Sequence, residues 1–281
     1  CKMEHALSVA TLARLTDLST GRAANPMSGR VADLMRGAFR RPFKLPREET
    51  PLVKLYEYYQ SERFNPTSFD ILKREKLELH REKRRNLYVN HLAIPEMIWR
   101  NADVLEVGCS SGENTLLYAM MGARLTLVEP VAASVRQLRT LFEHFGMADS
   151  LKRILIAEID SVRLKGSQDI IVAEGFINSL AEKRVVVRKL YRLLRPGGLM
   201  ILSTNDSIGA FIESFKAVIA KRHCRLLRIG RLDDKVEAIR PFFEEDFESI
   251  PHSRPFAAWA KDVLLNPIAS VIPSYDFDEI V

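Results

Sequence analysis

Residues 104–115 read Val-Leu-Glu-Val-Gly-Cys-Ser-Ser-Gly-Glu-Asn-Thr, VLEVGCSSGENT. A short apolar run enters a glycine, small residues follow, and Gly112 opens a polar stretch that reads as the start of a helix. Gly108, Ser110 and Gly112 spell G-x-S-x-G. Such a turn serves either as a nucleophile elbow, with Ser110 attacking, or as a loop whose backbone closes on a nucleoside ligand. The flanking chain decides between them.

Outward from this stretch the chain alternates short apolar runs with amphipathic ones. Strands are predicted over 103–107, 124–128, 153–156, 169–173 and 199–203. Helices are predicted over 113–121, 132–145 and 182–194. Strands separated by helical crossovers indicate a mostly parallel sheet covered on both faces, a Rossmann-like, doubly wound α/β fold. After residue 208 the pattern is helical, with two weak strand signals near 248–251 and 270–272.

A nucleophile elbow lies deep within its sheet and follows an oxyanion loop. Here the VLEV run is the first credible strand, and no His-Gly-Gly segment precedes it. Asp246 and His252 follow in the order of a triad. With 36 acidic residues and six histidines, however, such pairs arise by chance. Ser110 therefore reads as a small residue in a binding turn.

The turn would gather backbone N–H groups and a helix N-terminus at the carboxyl edge of the first strand. Glu106, two residues before Gly108, would repel a pyrophosphate and attract an ammonium. Glu129 ends the second strand in LVEP, seventeen residues beyond Gly112, about where a carboxylate receives ribose hydroxyls. Two carboxylates without a basic phosphate clamp point to a ligand carrying a ribose and an ammonium but no phosphate.

From about residue 87 to 205 the chain resembles the class I S-adenosylmethionine-dependent methyltransferases, on five segments in order. VLEVGCSSGENT is similar to the family's first motif, with Ser110 where glycine is usual, and LVEP to its second. IAEIDSV is similar to the third, DIIVAEGFINSL to the fourth strand and its active-site edge, and LYRLLRPGGLMILST to the helix, turn and fifth strand. The resemblance implies S-adenosylmethionine as cofactor and S-adenosylhomocysteine as product. It implies that Glu106, Gly108, Ser110 and Gly112 hold the amino-acid end, with Glu129 and Pro130 at the ribose. Glu158 and Ile159 would flank the adenine, Asp160 being a close alternative to Glu158. Glu174 would line both the cofactor site and the reacting centre.

The implied reaction is an SN2 displacement onto an O or N atom of a small-molecule acceptor. Glu174, Asn178 and His252 are the catalytic candidates. Ser179 stands where small-molecule members of the family often carry histidine, which puts a local histidine base in doubt. His91 is a further candidate. No Asn/Asp-Pro-Pro-aromatic segment follows the fourth strand, and no cysteine lies near the fourth or fifth. Both absences disfavour nucleobase methylation. Phe242, Phe243, Phe256 and Trp259, with His252 and Arg254, form either an acceptor pocket or the packing of a C-terminal helix.

The net charge of +6 is uneven: residues 1–95 hold eighteen Lys/Arg against eleven Asp/Glu, and the rest twenty-four against twenty-five. Two domains are expected, a basic helical extension or cap over 1–95 and the cofactor-binding domain over 96–281. Helices are predicted over 6–18, 31–39 and 69–92, with a proline-rich loop over 40–51. The basic extension suits either a solvated face or the docking of RNA or protein, and these partners define the alternative substrate classes. A non-catalytic binding protein on the same fold is a third reading.

No run of 18 apolar residues predicts a membrane span, and the apolar run at 6–13 lacks a signal-peptide pattern. Three scattered cysteines fit neither a disulfide framework nor a metal site, and suit a reducing cytoplasm.

Overall fold

Strand β1 (Asp103–Val107) occupies the centre of a five-stranded sheet because its side chains tolerate burial on both faces. Val104 and Leu105 are wholly inaccessible, and Glu106 and Val107 nearly so. The computed structural model describes residues 55–63, 71–164, 167–177, 180, 182–204, 207–249 and 254–268. Strands β2 (Arg124–Val128) and β3 (Leu151–Leu155) extend the sheet on one side of β1. On the other side lie β4 (Gln168–Ala173) and β5 (Leu194–Leu202). The order is β3-β2-β1-β4-β5 and every pairing is parallel. This is the Rossmann-like arrangement of class I methyltransferases. The order reverses between β1 and β4, which opens a crevice at the carboxyl ends of these two strands.

Helices cover both faces. Upstream of the sheet come α1 (Leu55–Ser61) and α2 (Arg74–Arg85). Helices α3 (Glu113–Met120) and α4 (Ala132–His144) pack one face through Leu116, Leu117, Leu138 and Phe142, joined there by Tyr88 and Trp99. Helix α5 (Lys183–Leu193) covers the other face through Val186, Val187, Leu190 and Leu193. Spacings of three and four set this apolar stripe on one side of α5.

Beyond β5, α6 (Ser207–Leu226), α7 (Leu232–Glu248) and α8 (Phe256–Trp259) build a third core with the π turn Ala260–Leu264. Among the described residues no helix is long and apolar enough to cross a membrane.

The structure departs from the sequence pattern in three described places. The helix predicted over 69–92 is α2 followed by a π turn, Asn86–His91. The wider turn changes the helical phase and brings Tyr88 inward, its ring 5.2 Å from that of Trp99. β5 begins at Leu194, five residues early, because the Pro-Gly-Gly segment is absorbed into the strand with a register shift against β4. Gly197 takes φ +75°, and a Cβ at Gly198 would meet the Asp169 carbonyl at 2.9 Å. The weak strand near 248–251 is overturned at Glu248, the last residue of α7. There Val236, Ile239, Phe243 and Phe247 extend a helical apolar stripe into the third core.

The elements predicted over 6–18, 31–39, 40–51 and 270–272 lie outside the described residues.

Candidate active site

The turn after β1 is shaped by three residues with positive φ: Gly108 at +76°, Ser110 at +50° and Gly112 at +88°. A Cβ on Gly112 would stand 2.7 Å from Cγ of Leu138, so this glycine lets α4 close on the turn. A Cβ on Gly108 would meet the ring of Phe176 at 2.9 Å. Both glycines thus have a packing reason. Ser110 holds a left-handed conformation that glycine adopts without cost, consistent with its being a substitute for glycine.

Glu129 clamps this turn. Its Oε2 accepts the Ser110 N–H at 2.8 Å and its Oε1 accepts the Val131 N–H at 2.9 Å. The side chain is buried. Burial pushes its pKa up, and the two backbone donors oppose that shift. The side chain at the end of β2 therefore organises this turn from behind, a role that its position in LVEP does not reveal. Pro130 links Glu129 to α4.

Glu106 is the chemically exceptional residue of β1, a carboxyl in an otherwise apolar central strand. Among the described residues its Oε2 is buried without a hydrogen-bond partner, and so is the hydroxyl of Thr115. Burial pushes the Glu106 pKa up to about 8. Thr115 lies close enough to oppose the shift, and the carboxylates of Glu174 and Glu129 add to it. An orphaned buried carboxyl oxygen is costly unless a cationic or donor group completes it.

Glu158 precedes the short 3-10 turn Ile159–Ser161 after β3 and accepts the Tyr56 hydroxyl at 2.9 Å. Ile159 is buried and Asp160 exposed. Lys189 of α5 holds the carbonyls of both, at 2.5 and 2.8 Å. Of the two acids considered for this turn, Glu158 is the one engaged with a side chain from another element.

Glu174, one residue past β4, forms an ion pair with Arg84 at 2.5 Å. Arg84 also donates to the hydroxyls of Tyr118, at 2.9 Å, and Tyr88, and these hydroxyls lie 2.7 Å apart. Tyr88 and Tyr118 are fully buried, and burial raises both their pKa values. Four carboxylates from the ends of β1, β2, β3 and β4 thus stand around one sheet edge, and a single buried guanidinium enters from α2.

Of the remaining candidates, Asn178, Ser179 and His252 lie outside the described residues. His91 is exposed in the π turn, 3.3 Å from the Asn86 amide. Phe243, Phe247, Phe256 and Trp259 pack against one another, the Phe247 and Trp259 rings 5.0 Å apart. Arg254 pairs with Asp262 at 2.8 Å. The C-terminal aromatics are therefore core residues that hold α7 and α8 together. Among the described residues no group of three or more His, Cys, Asp or Glu is placed to hold a metal ion.

Sequence reasoning missed Arg84, Tyr88, Tyr118 and Tyr56. Tyr88 and Trp99 show no periodicity that marks them as core. Arg84 is one of seven Lys/Arg between 73 and 85, so nothing in its context sets it apart. Tyr56 belongs to α1, which ties distant parts together: Tyr58 donates to the Lys261 carbonyl and Tyr59 to Asp262, at 2.9 and 2.7 Å.

Comparison with known proteins adds a domain match. Residues 105–202 match the model of a methyltransferase domain. Over 165 residues the chain is 26% identical to malonyl-[acyl-carrier protein] O-methyltransferase of Enterobacter lignolyticus, covering 57% of this chain and 62% of that one. Over 136 residues it is 31% identical to arsenite methyltransferase of Aquipseudomonas alcaligenes, covering 45% and 39%. Among solved structures it is similar to glycopeptide N-methyltransferase MtfA in complex with S-adenosylmethionine. That match has 23% identity and a TM-score of 0.36, and covers 39% and 50% of the two chains. The chain spans about two fifths to three fifths of the length of these curated relatives.

Proposed function

We propose that this chain, whose residues 105–202 match a methyltransferase domain, is a class I S-adenosylmethionine-dependent methyltransferase that methylates an O or N atom of a small-molecule acceptor. The observation that carries the reading is the buried, unpartnered oxygen of Glu106 beside the Gly108–Gly112 turn. An orphaned carboxyl is what the ammonium of S-adenosylmethionine requires, so the residues fit this cofactor. When bound, S-adenosylmethionine supplies a methyl group already activated on a sulfonium.

In this reading Glu106 receives the ammonium, and the backbone of Gly108, Ser110 and Gly112 follows the amino-acid end. Glu129 and Pro130 border the ribose, and Glu158 and Ile159 border the adenine. Glu174 orients the reacting end through its ion pair with Arg84. The chain's contribution is alignment and exclusion of water, since the leaving group needs no further activation. Asn178 and His252 remain the proposed acceptor-side groups, and a base is required only for an acceptor that must lose a proton.

We further assign 1–95 as a cap and 96–281 as the cofactor-binding domain. Support for the cap comes from Arg84 and Tyr56, which reach Glu174 and Glu158 from outside the family match. Two buried free thiols, Cys109 and Cys224, support a reducing cytoplasmic location.

Calorimetric titration with S-adenosylhomocysteine tests the reading. Micromolar binding by the wild type, lost in Glu106→Ala, is the expected result. Absence of binding by the wild type would overturn it.

A further inference from the structure

The net charge of residues 96–281 is close to zero, yet one face of the sheet carries a concentrated cationic stripe. Across 183–195 stand six Lys/Arg and no Asp/Glu. On α5 the apolar side is buried in the core, which directs Arg184, Val185, Arg188, Tyr191 and Arg192 to the opposite side, all exposed. Spacings of three and four keep these five on one arc of the helix. Arg184, Arg188 and Arg192 follow one another at intervals of about 6 Å along the axis. Tyr191 presents its ring among them, 67% exposed.

Beside this stripe lies a groove of about 580 Å³ between α5 and the segment after β3. Lys189, Arg192 and Leu193 line it from α5, and Asp160, Val162 and Arg163 from the other wall. Among the described residues Arg163, Arg188 and Arg192 form no ion pair, whereas Arg195 is paired with Asp169 at 2.7 Å. Lys189 is spent on the carbonyls of Ile159 and Asp160, so it braces the groove wall.

Arginines with no carboxylate partner repel one another, and an anion relieves that repulsion. Guanidinium forks suit phosphate oxygens in particular. A linear row of cations fits a chain of regularly spaced negative charges. An exposed aromatic ring inside that row offers a stacking platform for an unpaired base. From this juxtaposition we propose that the outer face of α5 and the adjoining groove form a docking surface for single-stranded RNA. The groove reaches the turn Ile159–Ser161, whereas Arg184, Arg188 and Arg192 lie on the outer side of α5, and the proposal does not depend on the identity of the methyl acceptor.

The test is fluorescence anisotropy with a labelled 15-nucleotide oligouridylate over a series of salt concentrations. The wild type should bind with a salt-dependent affinity. In the Arg163→Gln/Arg188→Gln/Arg192→Gln variant, the slope of log K against log salt should fall by about 2, at roughly 0.7 per phosphate contact on a single strand. Tyr191→Ala should weaken binding roughly five- to hundredfold with the slope unchanged, through loss of base stacking. Lys76→Gln/Arg81→Gln, on the separate basic helix α2, should bind as the wild type does. Titration with S-adenosylhomocysteine should be the same for every variant, which checks folding and the cofactor site independently.

A wild-type slope in the triple variant would overturn the proposal. So would an unaffected Tyr191→Ala together with competition by poly-glutamate as strong as by RNA, which would mark an acidic-polypeptide surface. Equal binding to phosphatidylserine vesicles, abolished by the same three substitutions, would assign the face to a membrane and overturn it too.

Discussion

The guanidinium of Arg84 on α2 lies 2.5 Å from the carboxylate of Glu174 at the end of β4, bridging 90 residues of sequence. Both side chains are largely buried, and the Tyr88 and Tyr118 hydroxyls accept from the same guanidinium nitrogen, while Nε of Arg84 has no partner among the described residues. The pair fastens a segment outside the family match to the strand that borders the proposed reacting centre.

Removing one partner of a buried pair leaves the other uncompensated. Arg84→Met is therefore expected to cost about 3–5 kcal/mol in urea unfolding. Adding Glu174→Gln should recover part of that loss, with a coupling energy of roughly 1–3 kcal/mol. Additive losses in the double-mutant cycle would refute the contact.

Glu129→Ala removes the acceptor for both the Ser110 and Val131 N–H groups. The buried Val131 donor then goes unmet, at about 1–3 kcal/mol, and the partly buried Ser110 donor adds less. Urea unfolding should register this loss. The freed turn should also lower S-adenosylhomocysteine affinity at least tenfold by calorimetry, at about 1.4 kcal/mol per decade. Glu129→Gln keeps one acceptor and turns an amide donor toward the other N–H, so it should lie between the wild type and alanine.

Gly112→Ala introduces a Cβ 2.7 Å from Leu138 Cγ at a φ of +88°. Left-handed strain of about 1–2 kcal/mol and overpacking of about 1–3 kcal/mol should combine. Pairing it with Leu138→Ala should relieve the overpacking and leave the strain. If the two substitutions add without relief, α4 does not pack on the turn as described.

Glu106 has a folded-state pKa near 8, against an ordinary value of 4.5. Between these values the folded state binds more protons than the unfolded, so stability should fall as pH rises, by up to about 1.4 kcal/mol per pH unit. His80 has the opposite sign: burial first, and Arg84 second, lower its pKa from 6.5 to about 4. Its contribution rises with pH over that lower window and is complete above 6.5. The Glu106 slope should therefore stand clear between pH 6.5 and 8 and vanish in Glu106→Gln. Ionised Glu106 is the form that attracts an ammonium, so S-adenosylhomocysteine affinity should rise over the same interval in the wild type only. Unfolding midpoints and calorimetry across the interval check both.

Much of this architecture was legible in the chain because its causes are local. The inner strands β1, β2 and β4 announce themselves as apolar runs, since parallel strands with a neighbour on each side are buried on both faces. Gly108, Ser110 and Gly112 announce a turn, because positive φ selects small residues. Glu106 stood out as a charge in an apolar strand, and VLEVGCSSGENT with the four segments after it carried the family resemblance.

Contacts across long sequence distances were decided only in the folded molecule. Arg84 resembles the six other cations between 73 and 85, and only the placement of α2 against β4 singles it out. Tyr56 meets Glu158 because α1 lies between the turn after β3 and the π turn Ala260–Leu264, and no period of 2 or 3.6 encodes that encounter. The aromatics of the C-terminal segment face inward because α7 and α8 share a core, whereas composition alone suited a pocket equally well. The charge of residues 96–281 averages to nearly nothing along the chain, and the helical period of α5 gathers its arginines on one face. Local propensity sets which residues form a strand, turn or helix; the partner each side chain meets is set by which elements pack together, and that is a property of the tertiary structure.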